Sequence, residues 1–365
     1  MIHPMTTHPA NVSLLADDVE QDLRASVRAV LDRHAPTDRL NAVYDGTDDV
    51  TAPLWSAFCD LGLPGLLVPE DLGGAGASAR EAAAVLEELG RAAAPSPFLT
   101  SSVVATALLV ALGDTEILPM LASGEQTAAL LVSPTTGRPA LTTVGLPADV
   151  LLLPEGDALY AVRGATVTPV SSLDMTRPLG RVDLEGATRT LVSDDATAAI
   201  DLALLTGAGL LAAEQVGVAR WALETTVAYL KERRQFGRVV GGFQALKHRL
   251  ADLYARVEQA DAVARYAAAT LATDDPDVPV AVHVAASFCG EAATHAAEEA
   301  IQLHGGIGMT WEHPAHLHLK RAKADELLLG SPEAHRRALS ALVDLPPPVV
   351  EPPMVELVET PAPGR

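Results

Sequence analysis

Leu246, Leu250, Leu253, Val257, Ala260, Ala264, Ala267 and Leu271 follow one another at alternating steps of four and three. An α-helix brings such positions onto one stripe, and a stripe of this length needs partner helices to cover it. The segment therefore predicts a long helix in an antiparallel bundle. Asp274-Asp275-Pro276 closes it, and a second helix is expected over about 279–304, stopped by Gly305-Gly306. A third is expected over 314–329, and a last one after Ser331-Pro332.

The N-terminal third is also helical in pattern. Ser78-Ala79-Arg80-Glu81 fits a capping box, with Ser at the cap and Glu at the third helical position. The helix it opens carries Ala82, Val85, Leu86 and Leu89 on one face and is expected to stop at Gly90. A second apolar helix is expected over 101–112. Between the earlier helices, the segment from Pro64 to Gly74 reads as a rigid, glycine-punctuated loop. The middle of the chain changes period: short β-rich runs at 128–132, 150–153, 159–162, 166–170 and 181–184 predict a small antiparallel β-domain. The expected fold class is thus mainly α with a small β-domain. A helical domain is expected over 1–125, a β-domain over 126–197, a helical bundle over 198–345 and a disordered proline-rich tail over 346–365.

Composition narrows the function. The 365 residues carry 47 acidic against 26 basic side chains, a formal charge of −21 that repels a polyphosphate backbone and disfavours nucleic-acid binding. The two cysteines, Cys59 and Cys289, exclude a disulfide framework and fit a reducing cytoplasm. The first twenty residues lack the basic and apolar regions of a signal peptide, and apolar runs such as 202–213 are too short to span a bilayer. A cytoplasmic protein without a membrane partner is expected.

Three places could carry chemistry. Lys231, Arg233, Arg234, Arg238, Lys247 and Arg249 form a local basic cluster around Gln235-Phe236-Gly237. Arg233 could hold phosphate oxygens and Phe236 could pack a flat ring. On spacing alone, a solvated helix end whose cations offset the C-terminal dipole is the stronger reading. Gln302-Leu303-His304-Gly305-Gly306-Ile307-Gly308 could admit a phosphate or ribose close to the backbone, or be a plain glycine-terminated helix. His304, His313, His316 and His318 invite a metal reading, but two residues apart on a helix side chains diverge, and no HExxH pattern is present. No metal is expected.

Taken in order, these segments are specific. Glu232-Arg233-Arg234-Gln235-Phe236-Gly237, the Phe243-Gln244-Ala245-Leu246-Lys247-His248-Arg249 stretch, and the 302–308 segment followed by Glu312 resemble the C-terminal domain of acyl-CoA dehydrogenases. Gly62-Leu63-Pro64-Gly65, Pro69-Glu70, Gly73-Gly74 and Glu88-Leu89-Gly90-Arg91 resemble the same family's helical domain. The resemblance runs from about Ala16 to Leu342. It implies an N-terminal helical domain, a β-barrel-like middle domain and a C-terminal four-helix bundle. It also implies FAD-dependent α,β-desaturation of an acyl-CoA thioester, with a carboxylate taking the α-proton. Arg233 and Phe236 would meet the pyrophosphate and adenine ends of FAD, and Gln244, Gln302, Gly305 and Gly306 would bind the same cofactor. Those contacts reach across a subunit interface to FAD seated mainly on the neighbour.

The departures are as informative. Leu329 stands where the family often has its glutamate, so no catalytic residue is expected there. Some members place the base near the start of the first C-terminal helix, but here that stretch is Thr206-Gly207-Ala208-Gly209. The Thr-Glu-Pro and Gly-Ser-Asp segment that cradles the flavin has no match; Val132-Ser133-Pro134-Thr135-Thr136-Gly137 stands roughly in its place, and the β zone is short. The leading expectation is the non-catalytic subunit of a heteromer, expected as a heterotetramer, resembling those of actinobacterial steroid side-chain degradation. A second acyl-CoA dehydrogenase-like subunit would complete it and an electron-transferring flavoprotein would accept electrons. The second is a self-sufficient homo-oligomer with a relocated base, Glu326 or Glu214. The third is a binding or scaffold protein on the same fold.

Overall fold

The computed structural model describes residues 13–343. The first helices are α1 (Asp18–His34), α2 (Thr37–Tyr44), α3 (Thr51–Asp60), α4 (Ala79–Ala92), α5 (Thr106–Ala111) and α6 (Leu118–Ala122). The capping box forms as expected: the Glu81 carboxylate accepts from the Ser78 backbone N–H at 2.9 Å, and Ser78 Oγ accepts from Arg80 N–H at 3.2 Å. The helix does not stop at Gly90. It continues to Ala92 and closes on Ala93, whose φ is +49°. The second apolar helix begins earlier than 101 and differently: Phe98–Ala105 is π-helical and feeds directly into α5.

Two small sheets follow. One orders β1 (Ala128–Leu130), β3 (Val150–Glu155), β4 (Ala158–Arg163) and β7 (Thr188–Ser193); the other orders β2 (Thr142–Val144), β6 (Leu179–Asp183) and β5 (Thr166–Val170). The expectation of a purely antiparallel domain is corrected, because β1 runs parallel to β3, Ala128 opposite Val150. β3 is apolar and buried from Val150 to Pro154 because both its faces are covered there. Leu151 and Leu153 pack toward the second sheet with Val182, while Val150 and Leu152 pack on Leu108, Leu109 and Leu118 of the helical layer. β2 and β7 escaped the sequence reading; β7 is largely exposed and β2 is only three residues long.

The C-terminal helices are α7 (Thr197–Glu232), α8 (Gln244–Leu271), α9 (Val278–His304), α10 (Ala315–Leu327) and α11 (Pro332–Leu342), with a β8–β9 hairpin (Arg234–Gln235, Arg238–Val239) between α7 and α8. The stripe on α8 is buried from Leu253 through Val257, Ala260, Ala264 and Ala267, while Leu246 and Leu250 at its start are half-buried. The 314–329 helix ends earlier than expected: Leu328 is its cap, and Leu329 and Gly330 have φ of +60° and +122°. α7 is as long and apolar as a membrane-crossing helix, but here it is the central helix, packed on α4, α8 and α9. Its crossing with α4 is unusually close. A β-carbon on Gly90 would come 1.9 Å from the Glu214 carbonyl oxygen, and one on Gly217 would come 1.9 Å from that of Glu87. Gly90 is thus a packing glycine, not a helix stop. The expected tail over 346–365 lies outside the described residues.

Candidate functional site

Ring stacking gathers the two C-terminal motifs at one end of the bundle. Tyr229, in the last turn of α7, stacks on His304, the last residue of α9, with centroids 4.5 Å apart. Arg233 therefore follows one partner of the stack and Gly305 the other. His313 tilts onto His304 at 4.2 Å, and Arg249 of α8 forks onto Glu299 of α9 at 2.5 Å and 2.9 Å. Burial pushes both imidazoles below their ordinary pKa, His313 to about 4 with the neighbouring His304 and His316 adding to it. The rings are therefore neutral stacking surfaces at neutral pH.

Arg233 caps α7 through its N–H to the Tyr229 carbonyl at 2.9 Å, with an exposed side chain. Phe236 and Gly237 form the tip of the hairpin with φ of +54° and +71°, the pair of positive angles a tight two-residue hairpin turn demands. A phenylalanine held there, 89% exposed, projects its ring from the surface. Its edge meets Phe243 at 6.1 Å, and the Arg238 guanidinium covers Phe243 at 4.4 Å. Arg249 is neutralised by Glu299, so the basic cluster is smaller than its sequence suggests; among the described residues Arg233 and Arg234 have no carboxylate partner. Gln244 is exposed at the start of α8 and contacts His248 at 3.4 Å. Gln302, Gly305 and Gly306 are exposed, and a β-carbon on either glycine would meet nothing within 4 Å, so the backbone is open to a ligand. The structure thus places Arg233, Phe236, Gln244, Gln302, Gly305 and Gly306 on the surface of one end of the bundle. The tyrosine–histidine stack that organises them was missed in the sequence; aromatic residues just inside both motifs were the signal.

Leu329 lies elsewhere, at the junction of all three layers. Its N–H donates to the Pro134 carbonyl at 2.6 Å. Its side chain joins Leu99, Val104, Leu130, Val132 and Leu204 around an apolar cleft with about 20 Å³ of space, roughly one water. Among the described residues no carboxylate lines the cleft. Glu326 and Leu329 do not share a face, because the helix has ended between them. Glu326 instead accepts from Thr294 Oγ1 and from Lys323 Nζ, each at 2.7 Å.

Glu214 belongs to a buried ion network that sequence spacing did not reveal. Its Oε1 accepts from Arg177 Nη2 at 2.5 Å and from Arg321 Nη1 at 2.6 Å. Arg321 also pairs with Asp174 and donates to Thr176 Oγ1 at 2.7 Å and to the Ala94 carbonyl at 3.1 Å. Tyr44 donates to Asp174 at 2.9 Å. Arg177 Nη2 stands 3.0 Å from Asp325 Oδ1, yet neither Asp325 oxygen accepts a well-aligned hydrogen bond. Burial pushes Asp325 up to about 8, with Arg177 opposing and Glu214 adding to the rise. Asp174 is held below the usual range; burial opposes this, but the Arg321 charge and the Thr176 hydrogen bond prevail. The network ties α2, the loop before β6, α7 and α10 into one body.

The comparisons with known proteins agree with this architecture. The family description "Acyl-CoA dehydrogenase, N-terminal domain" matches residues 17–125, and "Acyl-CoA dehydrogenase, C-terminal domain" matches residues 197–343. Acyl-CoA dehydrogenase IpdE2 of Mycolicibacterium smegmatis is 39% identical over 88% of this chain and 97% of its own length. Acyl-CoA dehydrogenase FadE34 of Mycobacterium tuberculosis is 39% identical over 82% of this chain and 43% of its own length. The crystal structure of the ChsE4-ChsE5 complex from Mycobacterium tuberculosis contains a chain that superimposes with a TM-score of 0.81, at 26% identity, over 96% of this chain and all of that one. The chain belongs to the acyl-CoA dehydrogenase family, and FAD is the cofactor that goes with it.

Proposed function

We propose that this chain is the subunit of a heteromeric acyl-CoA dehydrogenase that carries no catalytic base of its own. The observation that carries the reading is the contrast between two places. The Leu329 cleft holds aliphatic side chains, no carboxylate and about 20 Å³, while the end of the bundle presents Arg233, Phe236 and the Gln302 loop outward. Free guanidinium groups, an exposed ring and open glycine backbone suit the phosphate and adenine end of FAD presented by another subunit. When bound, FAD supplies the hydride acceptor for desaturation of an acyl-CoA thioester.

In this reading the chain's own residues bind and orient. Arg233 holds pyrophosphate oxygens, with Phe236 against the flat adenine. Gln302 and Gln244 donate or accept at the polar edges, and Gly305 and Gly306 let the cofactor approach the backbone. The partner contributes the carboxylate and the flavin cradle, and an electron-transferring flavoprotein takes the electrons onward. A solved relative that is itself a two-component complex supports the heteromer. Glu214 and Glu326 are both engaged in ion pairs away from the cleft, which weighs against a relocated base.

The test is colour, stoichiometry and turnover. The chain purified alone with added FAD and an artificial electron acceptor is expected to show negligible dehydrogenation. Co-expressed with a glutamate-bearing partner it is expected to form a yellow, active complex. A yellow homo-oligomer with one FAD per chain, whose turnover is lost in Glu214→Gln or Glu326→Gln, would replace this reading with the self-sufficient enzyme. A chain that never joins flavin would replace it with a binding role.

A further inference from the structure

The loop between α9 and α10 carries the open glycine backbone at the end of the bundle. Gly305–Met309 makes a 3₁₀ turn, and Thr310 donates back to the Ile307 carbonyl from its N–H at 3.0 Å and its Oγ1 at 2.8 Å. The turn folds tightly onto the last turn of α9: a β-carbon on Gly308 would come 2.6 Å from the Ile301 carbonyl oxygen. Trp311 follows, with its ring 68% exposed, so burial does not hold it. Two side chains of α10 do. Lys320 Nζ lies 4.1 Å from the ring centre, and His316 meets the ring at 4.7 Å while donating from Nε2 to the Trp311 carbonyl at 3.2 Å.

The same ammonium has a second ring. Lys320 Nζ lies 4.3 Å from the ring centre of Tyr44 on α2, and both distances are well within reach of a cation–π contact. Tyr44 is fixed from behind. Its hydroxyl donates to Asp174 at 2.9 Å and accepts from the Met175 N–H at 3.2 Å, and Asp174 pairs with Arg321 in the buried network. The neighbouring cations on α10 are committed elsewhere, Arg321 to Asp174 and Glu214 and Lys323 to Glu326. Among the described residues Lys320 has no carboxylate at ion-pair distance, so the two rings are what engages its charge.

We infer that Lys320 is a positioning residue for the cofactor loop: its ammonium, shared between Trp311 and Tyr44, clamps the 305–311 segment to the Tyr44–Asp174–Arg321 network and so holds Gly305 and Gly306 in place. The inference rests on the reading that this loop meets FAD, and Lys320 acts through Trp311 rather than on the cofactor.

Hydrogen exchange of the 305–311 amides in the chain alone reads the clamp without any flavin. Lys320→Met keeps the aliphatic stem and removes the charge; two exposed cation–π contacts scale to about ten-fold faster exchange of these amides. Lys320→Arg, whose guanidinium also stacks on aromatic faces, is expected to restore the parental rate. In a Trp311→Ala background Lys320→Met is expected to add nothing, because the ring it acts through is gone. A lysine serving only overall stability would speed exchange equally with and without Trp311. In the complex with a flavin-bearing partner, Lys320→Met is expected to lose FAD on dilution several-fold faster than the parent, and Lys320→Arg is expected to match the parent. Unchanged loop exchange in Lys320→Met, no rescue by Lys320→Arg, or an equal effect in the Trp311→Ala background would each overturn the inference and leave the FAD reading standing. Flavin loss hastened by Arg233→Ala but not by Lys320→Met would overturn it as well. Flavin retention unaffected by Arg233→Ala would instead overturn the FAD reading, and the cofactor role of Lys320 with it.

Discussion

Gly207 of α7 and Leu329 face each other so closely that a β-carbon on Gly207 would stand 3.0 Å from Leu329 Cδ1 and 2.6 Å from Val104 Cγ2. These are the two neighbourhoods in which acyl-CoA dehydrogenases would be expected to carry their base. Here the two pack against each other. The glycine makes room for the leucine. The left-handed backbone at Leu329, φ +60°, aims the side chain into this contact and its N–H at the Pro134 carbonyl.

Leu329→Glu is therefore expected to cost stability without adding activity. The new carboxyl would enter a cleft walled by Leu99, Val104, Leu130 and Leu204, at about 1–3 kcal/mol for an unpaired polar group. Urea unfolding reads the loss. On the proposed reading, in which the partner supplies the flavin cradle, turnover of acyl-CoA by the isolated variant is expected to stay negligible, since a general base contributes only about 10²–10⁴. Turnover appearing in the isolated variant would show that the cradle is present after all.

The α4–α7 crossing makes a second, purely structural prediction. Gly217→Ala would put a methyl 1.9 Å from the Glu87 carbonyl oxygen and 2.8 Å from the Arg91 backbone nitrogen. Backbone cannot step aside as a flexible side chain can, so the helices must separate. The expected loss is at the upper end of the ~1–3 kcal/mol typical of overpacking. A melting temperature within experimental error of the parent would show that the helices are not held at this distance.

Some of this was legible in the sequence and some was not, for definable reasons. The seam from Leu253 to Leu271 and the Ser78–Glu81 box rest on local spacing, and both formed. Gly90 was misread because a glycine near a helix end looks alike whether it terminates the helix or admits a neighbour; only the Glu214 carbonyl against it decides. The parallel β1–β3 pair depends on a non-local register that no short run encodes. The surface motif was legible as an ordered set. The ion network was not, because its members are spread from Asp174 to Asp325 and meet only after folding. Glu214 did leave one signal: a lone acid within the apolar run from Ala208 to Ala219 had to find a buried cation.

Arg233→Ala separates a cofactor role from a structural one. Arg233 is exposed and no carboxylate among the described residues pairs with it, so the cofactor-free chain should keep its stability to within ~0.5 kcal/mol. In a complex with a flavin-bearing partner, the same change should lower FAD retention, read as faster loss of flavin on dilution. Unfolding of the cofactor-free chain would instead assign Arg233 to the fold.

Asp325 makes stability depend on pH in a direction opposite to that of most carboxylates. Its pKa is raised from the ordinary 3.8 to about 8, chiefly by burial. The folded chain thus binds a proton that the unfolded chain releases at lower pH. The stabilisation is full below the unfolded pKa, declines as pH rises, and is lost through about 8. The groups facing it are Arg177 from the loop before β6, Glu214 and Gln215 from α7, and Arg321 one turn earlier on α10. Asp174, held low, acts only in acid and does not overlap this window. Asp325→Asn keeps the neutral shape and removes the titration. Between about pH 5 and about pH 9 the urea midpoint of the parent should fall, while that of the variant should change less, with the variant the more stable at the alkaline end. Parallel profiles for the two proteins would show that Asp325 is ionised throughout and that the Arg177 contact alone determines its charge.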